Sequence, residues 1–119
     1  MEFLRRVPQW LRDAGNGALD VELDPGVVFR LEEVRLHLDA PGGVGAGNFS
    51  MALDSGVGAE HDVVLINEDM ETETDFVFRP TGDQRVLFDE DDKLVFAWPN
   101  TNGVRYGLEV IWSRVRDGD

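Results

Sequence analysis

Residues 104–112 read V-R-Y-G-L-E-V-I-W, with apolar side chains at alternate positions. Alternation with a period of two is typical of a strand that buries one face. The earlier stretch 93–98, K-L-V-F-A-W, repeats the pattern, and the P-N-T-N-G sequence between them has turn chemistry. In both stretches the large apolar side chains fall on even numbers. We therefore predict an antiparallel hairpin that buries Phe96 and Leu108 on one face.

Short apolar stretches of the same kind recur along the chain, at a spacing typical of all-β domains. They lie at residues 18–23, 27–39, 49–53, 63–66, 74–79 and 85–88. With the hairpin they make about eight strands, which predicts an antiparallel β-sandwich that is jelly-roll-like. An immunoglobulin-like sandwich is the alternative, and without the Cys-Trp-Cys hallmark the sequence does not distinguish the two topologies.

Two of these stretches carry further detail. Within 27–39 the apolar positions change from odd to even numbers, which predicts either a β-bulge at Glu32 and Glu33 or a bend of the strand from one sheet into the other. The run V-V-L-I at 63–66 predicts a strand that is buried on both sides.

The composition limits the function classes. A chain of 119 residues with 42% hydrophobic residues is large enough for one compact domain. Its 24 acidic and 11 basic residues give a net charge of −13, which disfavours direct binding to nucleic acid. Without cysteine there is no thiolate metal site, and no apolar run is long enough for a membrane span.

Residues 1–17 are interpreted as an N-terminal arm and hinge, and residues 18–116 as the β-sandwich domain. Residues 1–12 hold three Arg and one Glu, a charge of +2, whereas the remainder holds 8 basic and 23 acidic residues, a charge of −15. The apolar spacing within 1–13 predicts a helix interrupted at Pro8. We expect the arm either to dock on a partner or to fold over an open end of the sandwich, and its removal to leave the sandwich stable. The predicted partner-binding residues are Phe3, Leu4, Arg5, Arg6, Trp10 and Arg12.

Motifs that could carry chemistry are weak. The glycine-rich stretch 40–47 leads into a strand and not into a helix, so it is interpreted as a flexible connection and not as a phosphate loop. The four carboxylates of residues 89–92 lack the ligand spacing of a calcium loop and predict a solvated turn. His37 and His61 stand alone, which does not favour a metal site.

The aromatic side chains and the possible nucleophiles also give no site. Trp98, Tyr106 and Trp112 are in phase with the apolar positions, which predicts that they belong to the core and do not stack on sugars. The serines lack a nucleophile elbow, and there is no Cys nucleophile. We therefore expect no enzyme activity, no cofactor and no metal.

Several strand sequences resemble small structural proteins of tailed bacteriophages. The resemblance spans about residues 28–112 and lies in L-E-E-V-R-L-H-L (31–38), N-F-S-M-A-L (48–53), D-V-V-L (62–65), T-D-F-V-F (74–78), V-F-A-W-P-N-T (95–101) and Y-G-L-E-V (106–110). Such relatives often have a Glu-Pro-Gly-Asp turn where this chain has D-E-D-D (89–92). It is a resemblance of strand sequences and transfers no site residue.

The resemblance implies a virion protein on the capsid surface, assembled in the host cytoplasm. It implies either a decoration or cement protein or a small head or tail accessory. We favour the decoration or cement protein, which binds the major capsid protein or other virion subunits and forms a homo-oligomer such as a trimer. The alternative is a carbohydrate-binding or host-attachment module, which would need exposed coplanar aromatic side chains.

Overall fold

The computed structural model describes residues 7–80 and 87–115. This part of the chain consists of β-strands joined by turns, with one short 3₁₀ helix at Ala59–His61. The strands are β1 (Pro8–Gly15), β2 (Leu19–Leu23), β3 (Phe29–Leu38), β4 (Asn48–Asp54), β5 (Val63–Asp69), β6 (Asp75–Phe78), β7 (Leu87–Phe88), β8 (Lys93–Trp98) and β9 (Tyr106–Arg114). The strand stretches expected from the sequence are therefore present, apart from residues 85 and 86, which lie outside the described residues.

The strands form two antiparallel sheets that pack against each other. The larger sheet has the order β1-β9-β3-β6, with β7 also paired to β3, and the smaller sheet has the order β2-β8-β4-β5. The pairs β1–β9, β2–β8, β3–β6 and β4–β5 are nested, as in one long hairpin folded over on itself. This nesting is the jelly-roll arrangement, so the predicted fold class is confirmed.

The predicted hairpin of residues 93–98 and 104–112 is wrong. β8 pairs with β2 and β4 in the smaller sheet, whereas β9 pairs with β1 and β3 in the larger one. The alternation was interpreted correctly, because Phe96 is 0% and Leu108 2% exposed. Their side chains enter the same core from opposite sheets. A strand with one buried face shows the same alternation in either sheet. Periodicity alone therefore cannot tell two strands that pair in one sheet from two strands that face each other across the core.

Asn100 turns the chain from the smaller sheet into the larger one. It has a positive φ of 48° and is only 4% exposed. Its Nδ2 donates to the carbonyl oxygens of Gly17 and Val104, both at 2.8 Å, and its Oδ1 accepts from the Val104 amide at 2.9 Å. Asparagine tolerates this left-handed conformation better than most residues, and its amide replaces the hydrogen bonds that a tight hairpin would supply.

The bulge in β3 is confirmed. The register with β9 shifts between Leu31 and Glu33, which leaves Glu32 as the extra residue. The shift places the odd and the even apolar positions on the same inward face. The buried side chains of β3 are Phe29, Leu31, Val34, Leu36 and Leu38.

The prediction that residues 63–66 are buried on both sides is wrong. β5 is an edge strand of the smaller sheet, and Val63, Val64 and Leu65 expose 48, 58 and 37% of their surface. Only Ile66 is buried. A continuous apolar run usually indicates a central strand, and here it lies at an edge.

The predicted helix within 1–13 is wrong for the residues that the structure describes. Pro8–Gly15 is a strand whose ladder with β9 runs from Pro8–Ser113 to Gly15–Tyr106. Proline is acceptable there because it begins an edge strand. Within the described part of the predicted arm, residues 7–17, the strand Pro8–Gly15 thus belongs to the larger sheet. Its removal would expose β9 as a new edge strand.

The core lies between the sheets and is rich in aromatic side chains. Phe49 stacks on Phe96 with ring centroids 6.4 Å apart, and Phe29 stacks on Phe88 at 5.1 Å. Trp98 and Tyr106 are buried, and Trp112 is partly buried against the core, as the sequence predicts.

The loop at residues 40–47 is a connection between strands, as predicted, and it is tied to its surroundings. The amide of Gly42 donates to the carbonyl of Met70 at 2.9 Å, and Asn102 Nδ2 donates to the carbonyls of Gly42 and Val44. Ala46 is fully buried. A Cβ on Gly42 would lie 2.5 Å from the Met70 carbonyl oxygen, so this position requires glycine.

The acidic turn is solvated at three of its four residues. Asp89, Glu90 and Asp91 are exposed, but Asp92 is 9% exposed. Its two carboxylate oxygens accept backbone N–H groups from Gly56 and Asp89, at 3.0 and 2.9 Å. The expectation of a fully solvated turn is therefore corrected at Asp92, whose carboxylate holds the turn against the loop after β4.

We expect calcium to have little effect on this turn. The carboxylate of Asp92 is already used by two backbone amides, and the other three side chains point into solvent. Millimolar calcium should leave the melting temperature nearly unchanged, because only a ligand that prefers the folded form raises it. A large calcium-dependent increase that a chelator reverses would contradict this expectation. Asp92→Ala should lower the free energy of unfolding by about 1–3 kcal/mol in either condition.

Candidate interaction surface

The outward side chains of the larger sheet form the most elaborate polar surface among the described residues. Strand alternation places Trp10, Arg12 and Ala14 of β1 outward, whereas Leu11 packs on the core. The register then sets Arg12 beside Glu109 and Ala14 beside Gly107. We call this side of the sheet the outer face.

A row of alternating charges crosses the outer face. Arg12 Nε lies 2.7 Å from Glu109 Oε2, and Arg35 Nη1 lies 2.8 Å from Glu109 Oε1. Arg35 also pairs with Glu33, whose other oxygen lies 2.6 Å from Arg79 Nε. Three cations and two anions give this row a charge of +1 on a protein of net charge −13. It is therefore much less negative than the chain average.

The carboxylates of the row are held in their charged form. Burial alone would raise the pKa of Glu33, but hydrogen bonds from Arg79 and Arg35 outweigh it, so its pKa lies below the ordinary value. The hydrogen bond from Arg12 lowers the pKa of Glu109, with a smaller contribution from Arg35. Because the arginines are largely exposed, the row orders the face more than it stabilises the fold.

A shallow groove of about 500 Å³ lies beside this row. Gly107 forms part of its floor, since no atom lies within 4 Å of the place where its Cβ would stand. Arg12, Arg35 and His37 line its sides. The groove is open and wide, so it suits contact with a surface better than enclosure of a small molecule.

Trp10 gives the outer face an apolar anchor. Its ring is on the edge strand, it is 49% exposed, and the Arg12 guanidinium lies 5.6 Å from the ring centroid. The cation–π contact with Trp10 and the ion pair with Glu109 both restrict Arg12.

On the inner side of β1, the Tyr106 hydroxyl donates to Asp13 Oδ2 at 2.7 Å and fixes the register of this strand. Burial and the nearby Asp13 raise the pKa of Tyr106 to about 12, so this donor keeps its proton at neutral pH.

His37 is the titratable group of the outer face near neutral pH. Its Nδ1 lies 2.6 Å from Asp75 Oδ1 and its Nε2 lies 3.6 Å from Asp39 Oδ1. The hydrogen bond to Asp75 raises the pKa of His37 above its ordinary value, and the same bond lowers the pKa of Asp75.

The His37–Asp75 pair predicts a pH-dependent contribution to stability. A raised folded-state pKa of His37 means that its stabilisation is complete below the ordinary value of about 6.5 and is lost as the pH rises through the folded-state value. Asp75→Asn should therefore destabilise the protein more near pH 5 than near pH 8.5 in urea titrations. His37→Gln is the matched variant, and its destabilisation relative to wild type should also be smaller at the higher pH. An Asp75→Asn effect that is equal at both pH values would contradict the pairing.

Of the six predicted partner-binding residues, the structure places two together. Trp10 and Arg12 are outward neighbours on β1, whereas Phe3, Leu4, Arg5 and Arg6 lie outside the described residues. Whether these residues bind a partner stays a prediction.

The sequence did not identify the other members of the charged row. Arg35 and Glu109 occupy the polar positions of the alternating stretches that were used to find the core. Those positions point outward whenever the apolar positions point inward, so a signal existed. The alternation does not give the strand order β1-β9-β3-β6, and only this order places Arg12, Glu109 and Arg35 side by side.

Two of the expected absences concern ligands. In residues 7–80 and 87–115, no three His, Asp or Glu side chains are grouped so that they could hold a metal ion. His37 and His61 lie apart, on β3 and in the short 3₁₀ helix. Within the same ranges Trp10 is the single exposed aromatic residue of large size, so no coplanar aromatic platform is present there.

No helix among the described residues has the length and hydrophobicity to cross a membrane. No protein-family model matches the chain, and no curated protein matches it either.

Proposed function

We propose that this protein is a non-enzymatic structural protein of a virus particle that decorates the capsid surface. It binds the major capsid protein or a neighbouring virion subunit, assembles in the host cytoplasm, and uses the outer face of its larger sheet as one contact surface. The resemblance of its strand sequences to tailed-phage structural proteins supports a role in a virus particle, and the geometry of the outer face supports binding through that face.

The observation that carries the proposal is the position of Trp10 and Arg12. Tryptophan and arginine are among the residues most often found as binding hot spots. Here both point outward on β1, the Arg12 guanidinium lies over the Trp10 ring, and Glu109 pairs with Arg12. The surrounding row of ion pairs provides a polar rim with its hydrogen bonds already made. A rigid apolar anchor with a polar rim is the usual anatomy of a protein–protein contact.

The jelly-roll fold agrees with this proposal but does not by itself carry it. Jelly rolls occur in viral capsid proteins, in lectins and in enzymes, and fold alone does not fix function. The alternative of a sugar-binding attachment module depends on Trp10 alone among the described residues, with the adjacent groove as the place for a sugar ring.

The test uses point variants because β1 is part of the sheet and cannot be removed without altering the fold. The gene for this protein would be deleted, and the virus particles that form without the protein would be purified. These particles would then be mixed with recombinant wild-type protein or with the Trp10→Ala or Arg12→Glu variant. Co-sedimentation should show at least about a tenfold loss of affinity for each variant, the effect of one hot-spot residue. Val44→Ala, at an exposed loop position, is the control and should bind as wild type.

Two results would overturn the proposal. One is wild-type protein that does not co-sediment with particles at any concentration. The other is specific binding of the wild type to a glycan array that Trp10→Ala abolishes, which would favour the attachment module.

A further inference from the structure

The free edge of the smaller sheet is apolar. β5 is the last strand of that sheet, and none of the described strands pairs with its outer side. Val63, Val64 and Leu65 are all substantially exposed there. Edge strands are usually protected by lysine, proline, inward charges or bulges. β5 has a bulge next to Val64, where its register with β4 shifts, but no charge or proline within 63–66. An edge of this kind accepts an added strand.

The apolar surface continues from the edge onto the outside of the smaller sheet. A shallow groove of about 410 Å³ is lined by Ala52, Val64 and Val95, with Asp54 and Asp62 at its border. An added strand would therefore bury side chains in this groove as well as satisfy backbone groups of β5.

The charges around this edge are negative at both ends. Glu60 and Asp62 precede the apolar run, and Glu68 and Asp69 follow it. A hydrogen bond with Glu68 raises the pKa of Glu73, which reflects crowded carboxylates at the second end. Every ion pair among the described residues lies on the larger sheet or at its end, so the edge has no cationic partner there. The edge suits an extended segment that combines apolar and cationic side chains.

A short segment before β1 has that composition. Residues 3–7 read F-L-R-R-V, and they belong to the part of the chain that carries +2 against −15 for the remainder. We infer that the edge of β5 binds residues 3–7 of a second copy of this protein as an added strand. Phe3 and Leu4 lie along the apolar run, and Arg5 and Arg6 approach the carboxylates at one of its ends.

The segment of the same chain is too short to reach this edge. β1 contacts β2 at one side of the sandwich, and β5 lies at the opposite side of the smaller sheet. Strands are about 4.8 Å apart and packed sheets about 10 Å apart, so the position beside β5 is more than about 20 Å from Val7. The four residue-to-residue steps from Phe3 to Val7 extend over about 14 Å at most. Binding must therefore occur between copies.

The resulting contact is head-to-tail. One copy supplies residues 3–7 and the other supplies β5, so the two surfaces differ, and repetition gives a closed ring or an open chain. The inference goes beyond the proposed function, since it concerns contacts between copies and does not depend on the particle that they decorate.

The test compares the association of full-length variants by analytical ultracentrifugation over a wide concentration range. Val64→Glu places a charge on the acceptor edge, and the double variant Arg5→Glu, Arg6→Glu reverses the charge of the donor segment. Each should weaken self-association at least about tenfold. Val77→Glu is the matched control, because Val77 is 56% exposed on β6, in the other sheet. It should associate as wild type, and circular dichroism should give the same fold for all variants.

Mixing the two defective variants separates this contact from a symmetric one. Val64→Glu retains a normal donor segment and the arginine double variant retains a normal edge, so an equimolar mixture should form a 1:1 dimer that neither forms alone. High salt should weaken that dimer. Wild-type association by the arginine double variant would overturn the inference and indicate β5-to-β5 pairing. A monomeric wild type at all concentrations, or wild-type association by Val64→Glu, would overturn it as well.

Discussion

Replacing Phe96 with alanine is expected to lower the free energy of unfolding by about 3–5 kcal/mol. Phe96 is fully buried on β8, and its ring stacks on Phe49 with centroids 6.4 Å apart. Truncation removes this contact and leaves a cavity between rigid sheets that cannot collapse into it. Leu108→Ala, which empties the facing side of the core from β9, should cost about 2–5 kcal/mol.

The control for both is Val95→Ala, on the outward side of β8. It should cost less than either core change, because its side chain borders the outer groove of the smaller sheet. Denaturant titrations at constant m-value provide the measurement. A loss of under about 1 kcal/mol at both Phe96 and Leu108 would contradict the core that is described above.

Asn100→Ala is expected to destabilise the protein by about 2–4 kcal/mol. The change removes three hydrogen bonds to Gly17 and Val104 and leaves backbone groups of the crossover unsatisfied, at about 1–3 kcal/mol for each group that water cannot reach. It also keeps a Cβ at a φ of 48° while losing the side-chain hydrogen bonds that offset this left-handed conformation.

Asn100→Gly separates these two contributions. Glycine adopts the positive φ without strain but makes none of the side-chain hydrogen bonds, so it should be more stable than the alanine variant by about 1 kcal/mol and still less stable than wild type. Asn100→Asp should also be less stable than wild type, since a carboxylate can accept from the Val104 amide but cannot donate to the carbonyls of Gly17 and Val104. Equal stability of wild type and Asn100→Ala would show that the amide is dispensable at the crossover.

The error in the predicted hairpin has the same physical origin as the importance of Asn100. Residues 99–103 contain the proline, asparagine and glycine of a turn, and the stretches on either side alternate in phase. A turn within one sheet and a crossover between two sheets use the same residue types. The strands that pair with β8 and β9 decide between the two, and they lie far away in the sequence, as does Gly17, whose carbonyl accepts from the Asn100 amide.

The candidate interaction surface was predictable only in part. The sequence marks Trp10 and Arg12 as aromatic and cationic residues outside the clear strand pattern, although residues 8–15 are themselves a strand. Leu11 is the apolar side chain of this edge strand that packs on the core, whereas Trp10 is apolar but exposed. Residues 8–15 therefore show almost no alternation of apolar and polar positions in the sequence.

The sequence by itself determined which side chains of β8 and β9 are buried, and it limited the phase change within β3 to a bulge or a bend near Glu32 and Glu33. These features follow from the strict two-residue period of a strand, which the order of apolar residues records locally. Only the tertiary structure decided which strands pair, that β5 lies at an edge, and that Arg12, Glu109, Arg35 and Glu33 form one row. Strand order is set by backbone hydrogen bonds, which every residue except proline makes alike, and by the closure of the whole jelly roll around one core.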